Sequence, residues 1–147
     1  MQLTRGGEYG ILGVFYLAKQ PPGKVVLLSE IANSQDIPQS FLAKIFQQLS
    51  RVNIIRSVRG AKGGFTLARS PETITVREIL EVIEGPMRLS DCLVGPDLCA
   101  RRPHCPLQLV WLEIHRQVTD ILEKTTIAGL MEMQRLDLPS PLFLPQP

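Results

Sequence analysis

Apolar residues recur at three- and four-residue steps along most of the chain, and proline, glycine and polar clusters cut that pattern into segments. From about Arg5 to Lys19, Tyr9, Leu12 and Tyr16 fall on one line, with Ile11, Val14, Phe15 and Ala18 beside them, so a helix with a broad apolar surface is expected. Glu8 lies one turn in, where a carboxylate favours a helix N-terminus, and Pro21, Pro22 and Gly23 end the segment. A short helix follows with Ser29 as its N-cap, then a tight turn from Ser34 to Ile37. Pro38 suits the first turn of the next helix because it has no N–H to leave unpaired. In that helix Phe41, Leu42, Ile45, Phe46, Leu49 and Val52 form the apolar face, while Gln39, Ser40, Ala43, Lys44, Gln47 and Arg51 fall mainly opposite. Short helix, tight turn and amphipathic helix together make a helix-turn-helix pattern.

The next stretch, I-I-R-S-V-R-G-A-K-G-G-F-T-L-A-R, changes period. Two β-rich runs flank a turn built from Gly60, Gly63 and Gly64 with Arg59 and Lys62, which predicts a hairpin with a basic, permissive tip. After a helix-turn-helix such a hairpin is a wing. The glycines do not make a nucleotide loop, since the helix start and Lys-Ser/Thr ending of that motif are missing. Thr75-Val76-Arg77-Glu78 reads as a capping box, and Val76, Ile79, Leu80 and Ile83 as the stripe of a helix packed under the wing and closed by Gly85-Pro86. Gly95, Pro96, Pro103 and Pro106 then break regular structure. From Pro106 the longest helical pattern begins, with Leu107, Val110, Trp111, Ile114, Val118, Ile121 and Leu122 on one face and Leu109 and Leu112 alongside. That is more apolar surface than one small domain covers, so a partner helix is implied, by default in a symmetric homodimer. A shorter helix is expected from about Thr126 to Gln134, and the last twelve residues, with four prolines, show no period.

The fold class is therefore mainly α with a small β-hairpin. The expected organisation is a winged helix-turn-helix domain over 1–85, a cysteine-bearing loop over 86–105, dimerisation helices over 106–134 and a proline-rich tail over 135–147. A chain of 147 residues with 44% apolar composition sustains such a core. No apolar run is long enough to span a bilayer and no secretory layout opens the chain, so a cytoplasmic protein is expected. Net charge is only +2, but residues 1–70 carry nine Lys or Arg against three Asp or Glu, and the remainder seven against eleven. The first half is a candidate polyanion face. No catalytic constellation is visible, since His104 and His115 lack Ser or Asp partners and read as surface or loop residues; no enzyme is expected.

All three cysteines, Cys92, Cys99 and Cys105, fall in S-D-C-L-V-G-P-D-L-C-A-R-R-P-H-C-P, with six and five residues between them. An odd, clustered set argues against a secreted disulfide scaffold. Structural zinc sites use tighter pairs, and the wider spacing suits a loop draped around a larger iron-containing core. Inert or redox-switching thiols remain the alternative.

The order of E-Y-G-I, S-E-I-A at 29–32, I-P-Q-S-F-L-A-K-I at 37–45, S-V-R-G-A-K-G-G-F-T-L-A at 57–68 and the spaced cysteines resembles the Rrf2 family of bacterial winged-helix transcription regulators, over about residues 1–135. The resemblance implies a homodimer on double-stranded operator DNA. Its cluster-bearing branches sense iron–sulfur status, nitric oxide, iron or redox state; branches without these cysteines act through protein or small-molecule partners. It further implies an iron–sulfur cluster, with two or four irons, on Cys92, Cys99 and Cys105. One branch completes the site with a histidine three residues after the last cysteine, where this chain has Gln108. Another uses an N-terminal carboxylate from the other subunit, a position matched here by Glu8 with one extra methylene; His104 is a poorer candidate beside Cys105. On DNA, Gln39 and Ser40 are expected at or near base edges, Lys44 on phosphate, and Arg59 and Lys62 of the wing at a neighbouring minor groove. Ser29, Pro38 and Gly63 complete the candidate contact set.

Overall fold

The computed structural model describes residues 4–90, 93, 95 and 105–136. Cys92, Cys99, His104 and the proline-rich end beyond 136 lie outside the described residues. Six α-helices and one antiparallel hairpin make up the described chain. They are α1 (Arg5–Ala18), α2 (Leu28–Ser34), α3 (Gln39–Arg51), β1 (Ile55–Val58), β2 (Gly64–Leu67), α4 (Val76–Glu84), α5 (Leu107–Lys124) and α6 (Ile127–Arg135), with a 3-10 turn at Pro71–Thr73. No helix among the described residues is long and apolar enough to cross a membrane.

α1 begins at Thr4, whose Oγ1 accepts the amide of Gly7 at 3.3 Å. Thr4 also donates from its backbone N and Oγ1 to one carboxylate oxygen of Glu84, at 3.0 and 2.7 Å, tying the start of α1 to the last residue of α4. Gly7, Gly10 and Gly13 are buried along one line of α1. A Cβ at Gly13 would stand 2.7 Å from the Phe46 ring, and one at Gly10 2.2 Å from Ile83 Cδ1, so the absent side chains let α1 lie directly on α3 and α4.

The two ends of the turn-and-helix unit are built alike. α2 closes with Asp36 in the left-handed region at φ 52°, Ile37 N bonded to Ala32 O (2.9 Å) and Asp36 N to Asn33 O (3.5 Å). α3 closes with Asn53 at φ 59°, Ile54 N bonded to Leu49 O (3.1 Å) and Asn53 N to Ser50 O (3.2 Å). Both are Schellman caps, in which Asp or Asn holds the position that glycine usually takes and a buried isoleucine locks the exit. They fix the directions in which the chain enters and leaves α3.

Several expectations shift. Ser29 does not cap α2: the helix already starts at Leu28, because Val26 is pinned to Phe65 by paired backbone bonds of 2.9 and 2.8 Å and the chain turns straight from that bridge. This bridge adds a third edge to the hairpin that no sequence period announces. Pro38 stands just before α3 rather than in its first turn, its carbonyl accepting from Phe41 N and Leu42 N at 3.0 and 3.1 Å. The Thr75 box closes on one side only: Thr75 Oγ1 accepts from Glu78 N (3.1 Å), while the Glu78 carboxylate turns to Arg69 at 2.5 Å. α4 packs mainly on α1, and to an equal, lesser extent on α3 and α5, reaching the foot of the hairpin through that ion pair.

One core joins these pieces, with Val14, Ile31, Leu42, Phe46, Leu49, Ile54, Ile74, Ile79 and Ile127 buried together. Phe46 meets Phe65 of β2 edge-on at 5.0 Å between centroids, linking α3 to the hairpin. α6 returns to the same core through Ile127 and packs on α1. Among the six α-helices only α5 contributes no buried residue. Its expected single apolar face divides: Trp111, Val118 and Leu122 are half-buried on the side towards α4, while Leu107, Val110, Ile114 and Ile121 are exposed, together with Leu109 and Leu112. His115, expected at the surface, is half-buried, its Nδ1 enclosed and without a hydrogen-bond partner among the described residues.

Candidate nucleic-acid interface

Leu42, Ile45, Phe46 and Leu49 anchor α3 in the core, and at about 100° per residue the opposite ridge runs through Ser40, Lys44, Gln47 and Arg51. All four are exposed. Gln39 lies on one flank of that ridge and Phe41 on the other, both exposed in the first turn. Phe41 departs from expectation: assigned to the apolar face by its spacing, it leaves 60% of its surface in solvent, and Val52 at the far end leaves 43%. Both sit at the margin of the buried stripe. No side chain caps the start of α3 and no carboxylate stands in its first turn, so the positive end of the helix dipole is uncompensated.

The hairpin places Ile55 against Leu67 and Val58 against Gly64, with residues 59–63 at its tip. Arg59, Gly60, Ala61 and Lys62 are exposed there. Gly60 adopts φ 121°, and Gly63 donates its amide to Gly60 O at 2.9 Å. A Cβ on Gly63 would stand 2.6 Å from Val58 O and 2.8 Å from Gly60 O. What Gly63 brings to the candidate set is therefore the shape of the tip that presents Arg59 and Lys62. Ser29, half-buried in α2, and Pro38, exposed before α3, border that helix.

The sign of charge along this stretch is one-sided. Between Asp36 and Glu72 the chain holds no carboxylate and six cations, Lys44, Arg51, Arg56, Arg59, Lys62 and Arg69. Only Arg69 is neutralised, by Glu78. Lys44, Arg51, Arg56, Arg59 and Lys62 are exposed and form no ion pair among the described residues; Arg5, Lys19, Arg88 and Arg135 form none either but lie scattered over other elements, whereas these five share one carboxylate-free stretch of helix and hairpin. Cations held open on one helix and its adjoining hairpin make this the candidate polyanion-binding face. Arg51 and Arg56 were not among the residues singled out from the sequence. The carboxylate-free window around them was visible there.

At the other candidate centre, Glu8 is exposed in the first turn of α1, and its carboxylate has no partner among the described residues. Cys105 is a half-buried free thiol immediately before the start of α5. With Cys92 and Cys99 outside the described residues, no three His, Cys, Asp or Glu side chains meet at metal-binding distance among those that are described. The available donors, a free thiol and an unpaired carboxylate, suit iron ligation as far as they go.

Comparison with known proteins places this geometry. The sequence pattern of the Rrf2 family, described as an iron-dependent transcriptional regulator, matches residues 3–133. A candidate HTH-type transcriptional regulator of Aquifex aeolicus (strain VF5) is 34% identical over 134 residues, spanning 89% of this chain and 92% of that protein. Among solved structures, CymR, the global cysteine regulator of B. subtilis, superposes with a TM-score of 0.77 at 27% identity over 90% of this chain and 98% of that one. IscR of T. potens superposes with a TM-score of 0.75 at 25% identity, over 96% and 93%. With helix-turn-helix, hairpin and open cations arranged as described, the chain belongs to the Rrf2 family and is a non-enzymatic, DNA-binding transcriptional regulator.

Proposed function

We propose that the protein acts in the cytoplasm as a homodimer that reads operator DNA with α3 in the major groove and the hairpin in an adjacent minor groove, under the control of an iron–sulfur cluster. The observation that carries the DNA reading is the run of unpaired cations over α3 and the hairpin, beside exposed Gln39 and Ser40. A helix fits the major groove, where base edges are distinguishable, and arginine suits a narrow minor groove. The exposed stripe Leu107, Val110, Ile114 and Ile121 on α5 supports the dimer, since a second copy covers it and doubles the reading heads for half-sites about one helical turn apart.

The cluster would be held by Cys92, Cys99 and Cys105 of one subunit and Glu8 of the other. Bound there, it would supply a centre sensitive to oxidants, nitric oxide and iron supply, with an oxygen ligand leaving one iron corner labile. The support is positional. Within each subunit Glu84, at the end of α4, accepts from Thr4 at the N-cap of α1 and so fixes the helix that carries Glu8. α1 then lies against Phe46 and Leu42 of α3 through Gly13. A change of ligation at Glu8 therefore has a packed route to the reading helix, and would be coupled to it where the bound and unbound states seat α1 differently.

A cluster-free thiol switch, or control through a protein or small-molecule partner, is the second reading; likeness to the cysteine regulator CymR favours it. Anaerobic purification or reconstitution with iron and sulfide separates the two. A brown protein with acid-labile sulfide, losing iron on Glu8→Ala and changing operator affinity on Cys92→Ala, Cys99→Ala or Cys105→Ala, supports the cluster. Colourless protein under iron-replete, oxygen-free conditions, or operator affinity indifferent to all three substitutions in every metal and oxidant state, refutes it.

A further inference from the structure

α3 carries two phenylalanines with opposite fates. Phe46 is fully buried, while Phe41, in the first turn, leaves 60% of its surface open. It stands beside Ser40 and about one turn from Lys44, on the flank of the ridge aimed away from the core. Among the described residues none covers more than a part of the side chain, and α5 packs on α4 rather than on α3. An aromatic side chain among groups that face DNA gains by losing its contact with water, so it needs an apolar partner in the groove. The major-groove edges of the bases offer donors, acceptors and one apolar feature, the C5 methyl of thymine. We infer that Phe41 is a specificity-determining residue that reads a thymine methyl in each half-site, while Gln39 and Ser40 read polar edges beside it.

The inference rests on α3 entering the major groove, and the test keeps the two claims apart. A duplex is selected in vitro from a random pool, and each thymine is replaced in turn by deoxyuridine, which removes only the methyl. Burying one such group corresponds to about a fourfold change in affinity, or about fifteenfold when both half-sites of a dimer are changed. The parent protein should lose about that factor at one thymine per half-site and be indifferent at the others. Phe41→Ala should bind the thymine duplex more weakly and no longer distinguish thymine from uracil at that position, while Phe41→Leu should keep part of the discrimination. Urea midpoints equal to that of the parent show that the exposed site tolerates both changes.

The inference is overturned if the parent ignores every thymine-to-uracil change, or if Phe41→Ala still discriminates at the same base. If Gln39→Ala and Ser40→Ala alter affinity while no methyl matters, only the role of Phe41 fails. If none of the three substitutions changes affinity, placing α3 in the groove fails with it.

Discussion

Removing Arg59 gives a quantitative test of the open-cation surface. Each phosphate neutralised by a protein cation contributes about −0.9 to the slope of log affinity against log salt. Lys44, Arg59 and Lys62 alone, counted in both subunits of a dimer, give a slope of about −5; adding Arg51 and Arg56 brings it to about −9. In the proposed homodimer Arg59→Ala removes two contacts, so the slope should fall in magnitude by about 1.8. Between 50 and 200 mM salt, the variant should therefore lose about twelvefold less affinity than the parent. Fluorescence anisotropy of a labelled selected duplex, titrated at four or five salt concentrations with each metal state held constant, measures this. Arg116, exposed but paired with Glu113 and Asp120 on α5, is the control, and its alanine variant should keep the parental slope. An unchanged slope for Arg59→Ala, or an equal fall for Arg116→Ala, would show that the unpaired cations do not mark the DNA face.

Two further outcomes follow from packing and titration. Gly13→Ala gains about 1 kcal/mol of helix propensity, but its Cβ meets the enclosed Phe46 ring, and overpacking of that kind costs about 1–3 kcal/mol. Gly129→Ala in α6 meets nothing closer than Thr126 Oγ1 at 3.4 Å, so it keeps its gain. Urea midpoints at matched protein concentration should fall for the first and rise for the second; a rise for both contradicts the close approach of α1 to α3. Separately, hydrogen bonds from Arg116 and then Gln117 hold the Glu113 carboxyl down at about 2 from the usual 4.5. Because the folded value is depressed, the stabilisation is present above about 4.5 and is lost as pH falls through about 2. An NMR titration of the Glu113 carboxyl should show that low midpoint and its return towards 4.5 in Arg116→Ala; a normal midpoint in the parent contradicts the pairing.

The elements legible in the chain are those whose signal repeats within a few residues. Leu42, Ile45, Phe46 and Leu49 recur at the helical step and are buried as that step requires, and Gly60 and Gly63 mark the hairpin tip between two β-rich runs. The cysteine spacing and the charge imbalance of the first half were equally open to reading, and with the motif order they pointed to the family. The margins of each stripe were not. Phe41 and Leu42 are neighbours of like polarity, yet one faces solvent and the other is buried, because the border of a helix face depends on which neighbours reach it. α5 shows the same limit at larger scale: an apolar helix does not say which part of its surface meets α4 and which stays exposed.

Contacts across long separations lay furthest out of reach. Glu84 bonds Thr4 across 80 positions, Val26 bridges Phe65 with no strand of its own, and three glycines in α1 matter only because α3 and α4 lie against them. Periodicity is a property of neighbouring residues, written once per turn or per pleat, so it survives in the bare order of amino acids. Which surfaces then meet is settled by the balance of burial over the whole molecule. No local stretch of this chain carries that information.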